Sequence, residues 1–171
     1  MLDASHLENV QVLIVPQSHT PAAFTPEMAS VAREFLHSGG GLIALHDAVG
    51  FRGLPVLAEE VCAGGTSHAR GTGWVLKADH PLAAGLPRDR PLTQSYYDHV
   101  TLTPGPKGTV VAAGAGNDAP MAVCGHSGAG RYVAWGLAIG ISKEDDSDVP
   151  PTEDEGVFLV NAVKWCAGED Q

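Results

Sequence analysis

Basic residues are scarce in this chain. Ten Lys and Arg stand against 20 Asp and Glu, giving a net charge of −10 and a sequence pI near 5.0. Such a surface repels phosphate backbones and anionic headgroups, which excludes nucleic acid and an acidic membrane surface as expected partners. Cysteine is just as sparse. Cys62, Cys124 and Cys166 form an odd, widely spaced set with no CxxC. That argues against a disulfide framework and a cysteine zinc site, and it fits a reducing cytosol. The chain has no apolar run of the roughly 18 residues that a spanning helix needs. The opening residues, MLDASHLENV, carry neither a basic nor an apolar leader region. The expectation is a soluble, cytoplasmic protein.

What remains suffices for a single domain. The chain has 171 residues, 44% of them hydrophobic, enough to bury a core. The counts of Gly, 21, and Pro, 12, are high and predict many turns. Residues 10–15 (VQVLIV) read as a strand buried on both faces. Thr25-Pro26 then opens a helix, with Thr as N-cap and Pro at the first helical position. Met28, Val31, Ala32, Phe35 and Leu36 give that helix one apolar face, and Gly39 ends it. Residues 42–45 (LIAL) form a second buried strand, which makes a βαβ unit with parallel strands.

Further on, residues 54–62 read as a short helix closed by Gly64-Gly65. Strands are predicted at 73–77, 96–102, 109–113, 121–124 and 131–135, with glycine-rich hairpin turns between the last three. Residues 142–155 (SKEDDSDVPPTEDE) read as an acidic, mobile surface loop, and 156–167 as a closing helix. The loop lacks the glycine of a calcium-binding turn. The fold class is α/β: one domain over 1–171, with helices flanking a mostly parallel sheet. In such sheets the site lies beyond the carboxyl ends of the strands.

His46 and Asp47 sit at such an end, directly after LIAL. Imidazole serves as a general base or a metal ligand, whereas a histidine at a strand end is also a common structural feature. His68 follows in a predicted loop, while His6, His19 and His37 read as solvated. No HExxH or similar spacing joins any two histidines, so a shared site would have to be assembled by the fold. Gly39 to Gly41 follow a helix and precede a strand, the reverse of a phosphate-binding loop. The three cysteines fall in apolar patterns and read as core.

Four segments occur in order: FLHSGGGLIALHDA, GGTSHARGTGWVLKADHPLAAGLP, GAGRYVAWGL and NAVKWCAG. Together they resemble the ThuA-like family, the trehalose utilisation proteins, over residues 7–168. The resemblance implies a flavodoxin-like three-layer sandwich similar to class I glutamine amidotransferases. It places His46 where an amidotransferase carries its cysteine, so glutaminase chemistry is not expected. It implies His46 and His68 as catalytic residues and as candidate ligands of a divalent metal. Asp47, Tyr97 and Asp98 become candidate binding residues for a small-molecule ligand, such as a sugar.

The chain also departs from the family. Gln94-Ser95 stand where relatives carry an acidic pair, and Leu137-Ala138-Ile139 stand where they carry Leu-Gly-His. Losing a carboxylate and an imidazole removes two groups able to bind metal or move protons. The family's first strand, helix and second strand have no counterpart here. That gap predicts a natural start further upstream, or a homo-oligomer or partner chain that covers exposed sheet. Three functions follow: a carbohydrate-related enzyme, a non-catalytic binding module that kept the pocket, or a remodelled hydrolase with its nucleophile elsewhere.

Overall fold

The computed structural model describes residues 1–17, 20–71 and 73–169. His19 therefore lies outside the described residues.

The predicted βαβ unit forms. Strand β1 (Val12–Val15), helix α1 (Pro26–His37) and strand β2 (Gly41–Leu45) follow one another, and β1 pairs β2 in parallel. The Thr25 hydroxyl accepts the Met28 N–H at 3.4 Å, and Pro26 opens the helix. Ala29, Ala32 and Leu36 point inward from α1.

The next segment departs from expectation. Residues 54–61 form no helix, and 62–70 are strand rather than loop. Leu54, Leu57, Ala58 and Val61 are buried anchors along an irregular path. Gly64 and Gly65 do not stop the chain. They shape the irregular start of strand β3 (Cys62–Arg70), with Gly64 at φ +108° and register shifts on either side of Gly65. A short strand β4 (Trp74–Leu76) follows, then β5 (Asp98–Pro104), β6 (Thr109–Gly114), β7 (Pro120–Ser127) and β8 (Gly130–Trp135).

The main sheet has six strands in the order β1-β2-β8-β7-β6-β4. β8 is parallel to β2, whereas β7, β6 and β4 pair antiparallel. The sheet is therefore mixed, not mostly parallel. The reason lies in the connections: the β6–β7 and β7–β8 turns are too short for a crossover and can only reverse direction. β3 and β5 stand apart as an antiparallel two-stranded sheet.

Helix α2 (Glu153–Cys166) starts earlier than predicted. Thr152 and Glu155 form a capping box: the Thr152 hydroxyl accepts the Glu155 N–H at 3.2 Å, and Glu155 Oε2 accepts the Thr152 N–H at 2.8 Å. Glu153, Asp154 and Glu155 thus belong to the first turn of a helix, where negative charge is favoured. Asp154 and Glu155 are buried, not part of a solvated loop.

The layers follow from the period-two alternation of β2. Leu42 and Ala44 join a core with α1 and β5, around Leu36, Val100 and Tyr132. Ile43 and Leu45 join a core with α2, around Trp74, Trp135, Phe158 and Trp165. β1 is one edge of the sheet, with Ile14 exposed beside an apolar groove lined by Leu13, Val15, Phe24 and Met28. Among the described residues no helix is long and apolar enough to cross a membrane.

One crossing places the site. The Val100 N–H donates to the Gly136 carbonyl at 2.8 Å, which lays β5 across the carboxyl end of β8. A Cβ at Gly136 would overlap the Val100 carbonyl. Gly136→Ala is expected to destabilise the fold by about 1–3 kcal/mol, as overpacking does. Urea denaturation measures this, and an unchanged midpoint would show that the crossing is not tight.

Candidate functional site

β2 ends at Leu45, and the backbone turns sharply at the next residue. His46 has φ 48°, the left-handed region, and opens a single helical turn, His46–Val49, closed by Gly50 at φ 97°. A non-glycine residue held there on a strand-to-helix turn is locally strained, a feature that clusters at functional sites. His46 and Asp47 are both buried.

The rest comes from the small sheet. His68 lies in β3 and Asp98 begins β5, with the register pairs His68↔Val100 and Arg70↔Asp98. The His68 ring is held between two carboxylates. Its Nε2 is 2.8 Å from Asp47 Oδ1, and its Nδ1 is 2.7 Å from Asp98 Oδ2. His46 Nδ1 lies 3.2 Å from the same Asp47 oxygen, and the two imidazole rings are 4.9 Å apart. Phe51 packs on His68 at 5.1 Å, and Arg52 Nη1 approaches Asp47 Oδ2 at 4.0 Å. Asp98 Oδ1 is buried and accepts no hydrogen bond among the described residues. One donor atom each from His46, Asp47 and His68 lie within 4.8 Å of one another, a set able to hold a metal ion.

The structure thus brings together His46, Asp47, His68 and Asp98. Tyr97 is not part of that cluster: its ring stacks on Tyr96 at 4.5 Å and carries the Arg70 guanidinium at 5.2 Å. Asp98 reaches His68 through the pairing of β3 with β5. Phe51 and Arg52 gave no sequence signal, since their place depends on the turn after His46.

Gln94 and Ser95 serve the scaffold. Gln94 Nε2 donates to the Gly71 and Tyr96 carbonyls, at 3.0 and 2.6 Å. The Ser95 N–H and hydroxyl donate to Glu155 Oε1, at 2.8 and 3.0 Å. Burial pushes the Glu155 carboxyl up, against the pull of these donors. The sequence pattern Thr152-x-x-Glu155 could have revealed the cap, though not the contact with Ser95.

The cysteines are core, as expected. All three are buried, and burial pushes the thiols of Cys124 and Cys166 up to about 12. Neither is a thiolate at neutral pH, so neither is a ready nucleophile. A serine, histidine and carboxylate also meet elsewhere: the buried Ser127 hydroxyl donates to Glu60 Oε1 at 2.6 Å, with His37 Nε2 at 3.1 Å. The serine proton is committed to the carboxylate, not to the imidazole, which is the reverse of a hydrolytic triad.

The loop before β5 is anchored by Asp154. Arg90 forks onto it at 3.0 and 3.1 Å, and Thr93 donates its N–H and hydroxyl at 2.8 and 2.9 Å. Burial alone would raise this carboxyl, but the donors outweigh it and hold it below the usual range. A depressed folded value contributes stability above the unfolded value of about 3.9, and that stability is lost as pH falls through the folded value. Asp154→Asn is expected to flatten the acid limb of the stability curve below about pH 4 and to cost about 1–3 kcal/mol at neutral pH. Urea melts across this range measure both, and an acid limb as steep as the parent's would refute the anchor.

The fold and site define an α/β protein with a buried imidazole and carboxylate on the turn that follows a parallel strand. A family model described as ThuA, trehalose utilisation, matches residues 1–166, and the chain belongs to that family. Among solved structures it is similar to the cytoplasmic protein STM3548 of Salmonella typhimurium, at 16% identity and a TM-score of 0.69, over 96% of this chain and 74% of that one. A ThuA-like protein of Parabacteroides merdae aligns at 18% identity and a TM-score of 0.62, over 97% and 72%. A β-galactosidase of Bacillus circulans aligns at 15% identity and a TM-score of 0.63, over 95% of this chain but 23% of that enzyme. No curated protein matches the sequence.

Proposed function

We propose that this ThuA protein acts on a carbohydrate at a divalent-metal site formed by His46, Asp47 and His68, with Asp98 supporting His68. The observation that carries the reading is the orientation of His68. It turns Nε2 toward Asp47 and engages Asp98 through Nδ1. A metal-ligating histidine is wired in this way, with one ring nitrogen for the ion and the other N–H on a carboxylate. Two imidazoles and a carboxylate suit a divalent transition ion and leave coordination positions for substrate. Such an ion polarises a bound sugar oxygen or acidifies a bound water.

The protein's own residues supply the rest. Asp98 fixes the ring of His68, the His46 turn fixes the first ligand, and Phe51 shields one side of the imidazole. The carbohydrate substrate class rests on the family's description. In this reading the sheet is kin to the amidotransferase sandwich, and His46 occupies the turn that would carry the nucleophile there.

A second reading is a binding module without turnover. It is favoured by Gln94 and Ser95, which are spent on the scaffold where the family resemblance implies an acidic pair. Metal analysis by mass spectrometry and thermal shift with zinc, manganese and cobalt test the site. The expected result is retained metal and a clear shift, both lost in His46→Gln and His68→Gln. Asp98→Asn should weaken metal binding by about 10- to 100-fold, the usual cost of losing such a support. A sugar panel on the loaded protein then separates the readings: turnover supports the enzyme, binding alone the module. No retained metal and no shift with any of the three ions would overturn the metal site.

A further inference from the structure

β5 has a second face, and it carries a different histidine. Asp98 meets His68, while His99, the next residue, lines a separate cavity of about 330 Å³. The cavity is bounded by Arg70, Gly71, Gly73, Gly114, Gly116 and Asn117. It lies at the same end of the main sheet as His46, because Gly114 closes β6 opposite the start of β7, and that start pairs with the end of β8. Three properties set it apart from an ordinary surface dent.

The first is His99 itself. It is 1% exposed, and neither ring nitrogen has a hydrogen-bond partner among the described residues. Buried polar groups are normally satisfied, so such a ring calls for a partner. Burial also holds the ring below its ordinary pKa, which favours the neutral form. A neutral imidazole presents one donor and one acceptor.

The second is Arg70. It is exposed at the mouth, stacked on Tyr97, and no carboxylate among the described residues lies within ion-pair distance of it. In a chain of net charge −10, a guanidinium left without a carboxylate is a feature in itself. Its stacked, pre-oriented fork suits a carboxylate.

The third is the glycine lining. A Cβ on Gly71 would stand 3.3 Å from His99 Cε1, and one on Gly114 would overlap Asn117 Oδ1 and stand 3.4 Å from His99 Nε2. Glycine at these positions keeps the ring edges open to the cavity.

We propose that this cavity binds a small hydroxylated carboxylate, such as a sugar acid. Its carboxylate sits on Arg70 and its hydroxyl groups satisfy the two nitrogens of His99. A hydroxyl both donates and accepts, which is what a neutral imidazole needs, whereas a bare anion would meet only half of that need. The volume is at the small end of ligand pockets and fits a ligand of this size. None of its lining residues belongs to the His46–Asp47–His68 cluster.

The test uses the full chain labelled with ¹³C and ¹⁵N at histidine, with His99 resonances assigned from the His99→Gln spectrum. The probes are D-gluconate, acetate with the charge alone, and D-glucose with the hydroxyls alone. Gluconate should move the His99 imidazole resonances in a saturable way. Acetate and glucose should each bind at least about tenfold more weakly, the loss of one recognition element. Arg70→Gln, a substitution of an exposed residue, should weaken gluconate by a similar factor with the melting temperature kept. His68→Gln should leave gluconate binding unchanged, which keeps this result separate from the fate of the metal site. His99 resonances that stay still at tens of millimolar gluconate would overturn the proposal. So would acetate or glucose binding as well as gluconate, or an Arg70→Gln protein that binds normally.

Discussion

Much of this structure depends on one backbone contact, the hydrogen bond from the Val100 N–H to the Gly136 carbonyl. It fixes β5 over the carboxyl end of β8 and so carries the small β3–β5 sheet across the top of the main one. Side chains alternate along a strand. Fixing β5 there therefore presents Asp98 to one side and His99 to the other. The same contact forbids a side chain at Gly136, which explains why a glycine follows the last buried strand. His46 reaches the site by a different route, from the parallel part of the sheet. The site is thus a meeting of two sheets with separate tasks: one delivers the buried His46–Asp47 turn, the other the half-buried His68 and Asp98.

Acid groups hold the arrangement in place from below. Asp154 and Glu155 sit on the first turn of α2, where the helix dipole favours them, and both reach out to the segment before β5. Six donors converge on these two carboxylates from Arg90, Thr93 and Ser95: two each from the Arg90 fork, Thr93 and Ser95. The acidic composition is in part structural. Some of the negative charge is interior and already met by hydrogen-bond donors.

The sequence carried the parts of the fold that local rules govern. VQVLIV and LIAL are apolar enough to read as strands, and Thr25-Pro26 is a helix start by its own chemistry. LIAL is fully buried, whereas VQVLIV, expected to be buried on both faces, lies at the sheet edge with only Val15 buried, because no strand among the described residues pairs beyond it. The βαβ unit and the strand-end place of His46 follow from these. The mixed sheet was harder to read, because strand direction is set by which partners pair, and pairing is not local. β3 was missed for a related reason. Gly64-Gly65 looks like a stop, yet at these positions glycine lets a strand bulge past Gly50 and Phe51. Family likeness points to His68, but the local sequence reads as loop where β3 forms, and its two carboxylates come from segments about 20 and 30 residues away on either side. Asp98 is a candidate binding residue in the sequence, yet its contact with His68 depends on the pairing of β3 with β5, which is not local. Tyr97, named from the same likeness, lies outside the cluster because its ring is taken up by Tyr96 and Arg70.

The clamp from α2 also has a consequence for synthesis. A chain emerges from the ribosome N-terminus first, and domains are completed in that order. His46, His68 and Asp98 all emerge long before Asp154 and Glu155 do. Until then the segment from Arg90 to Ser95 has none of its carboxylate partners, and Asp98 follows directly on that segment. The pocket is therefore finished by residues far downstream that take no part in its chemistry. A nascent chain can complete the β1–α1–β2 unit early and still lack the anchored segment before β5 until its final helix has docked.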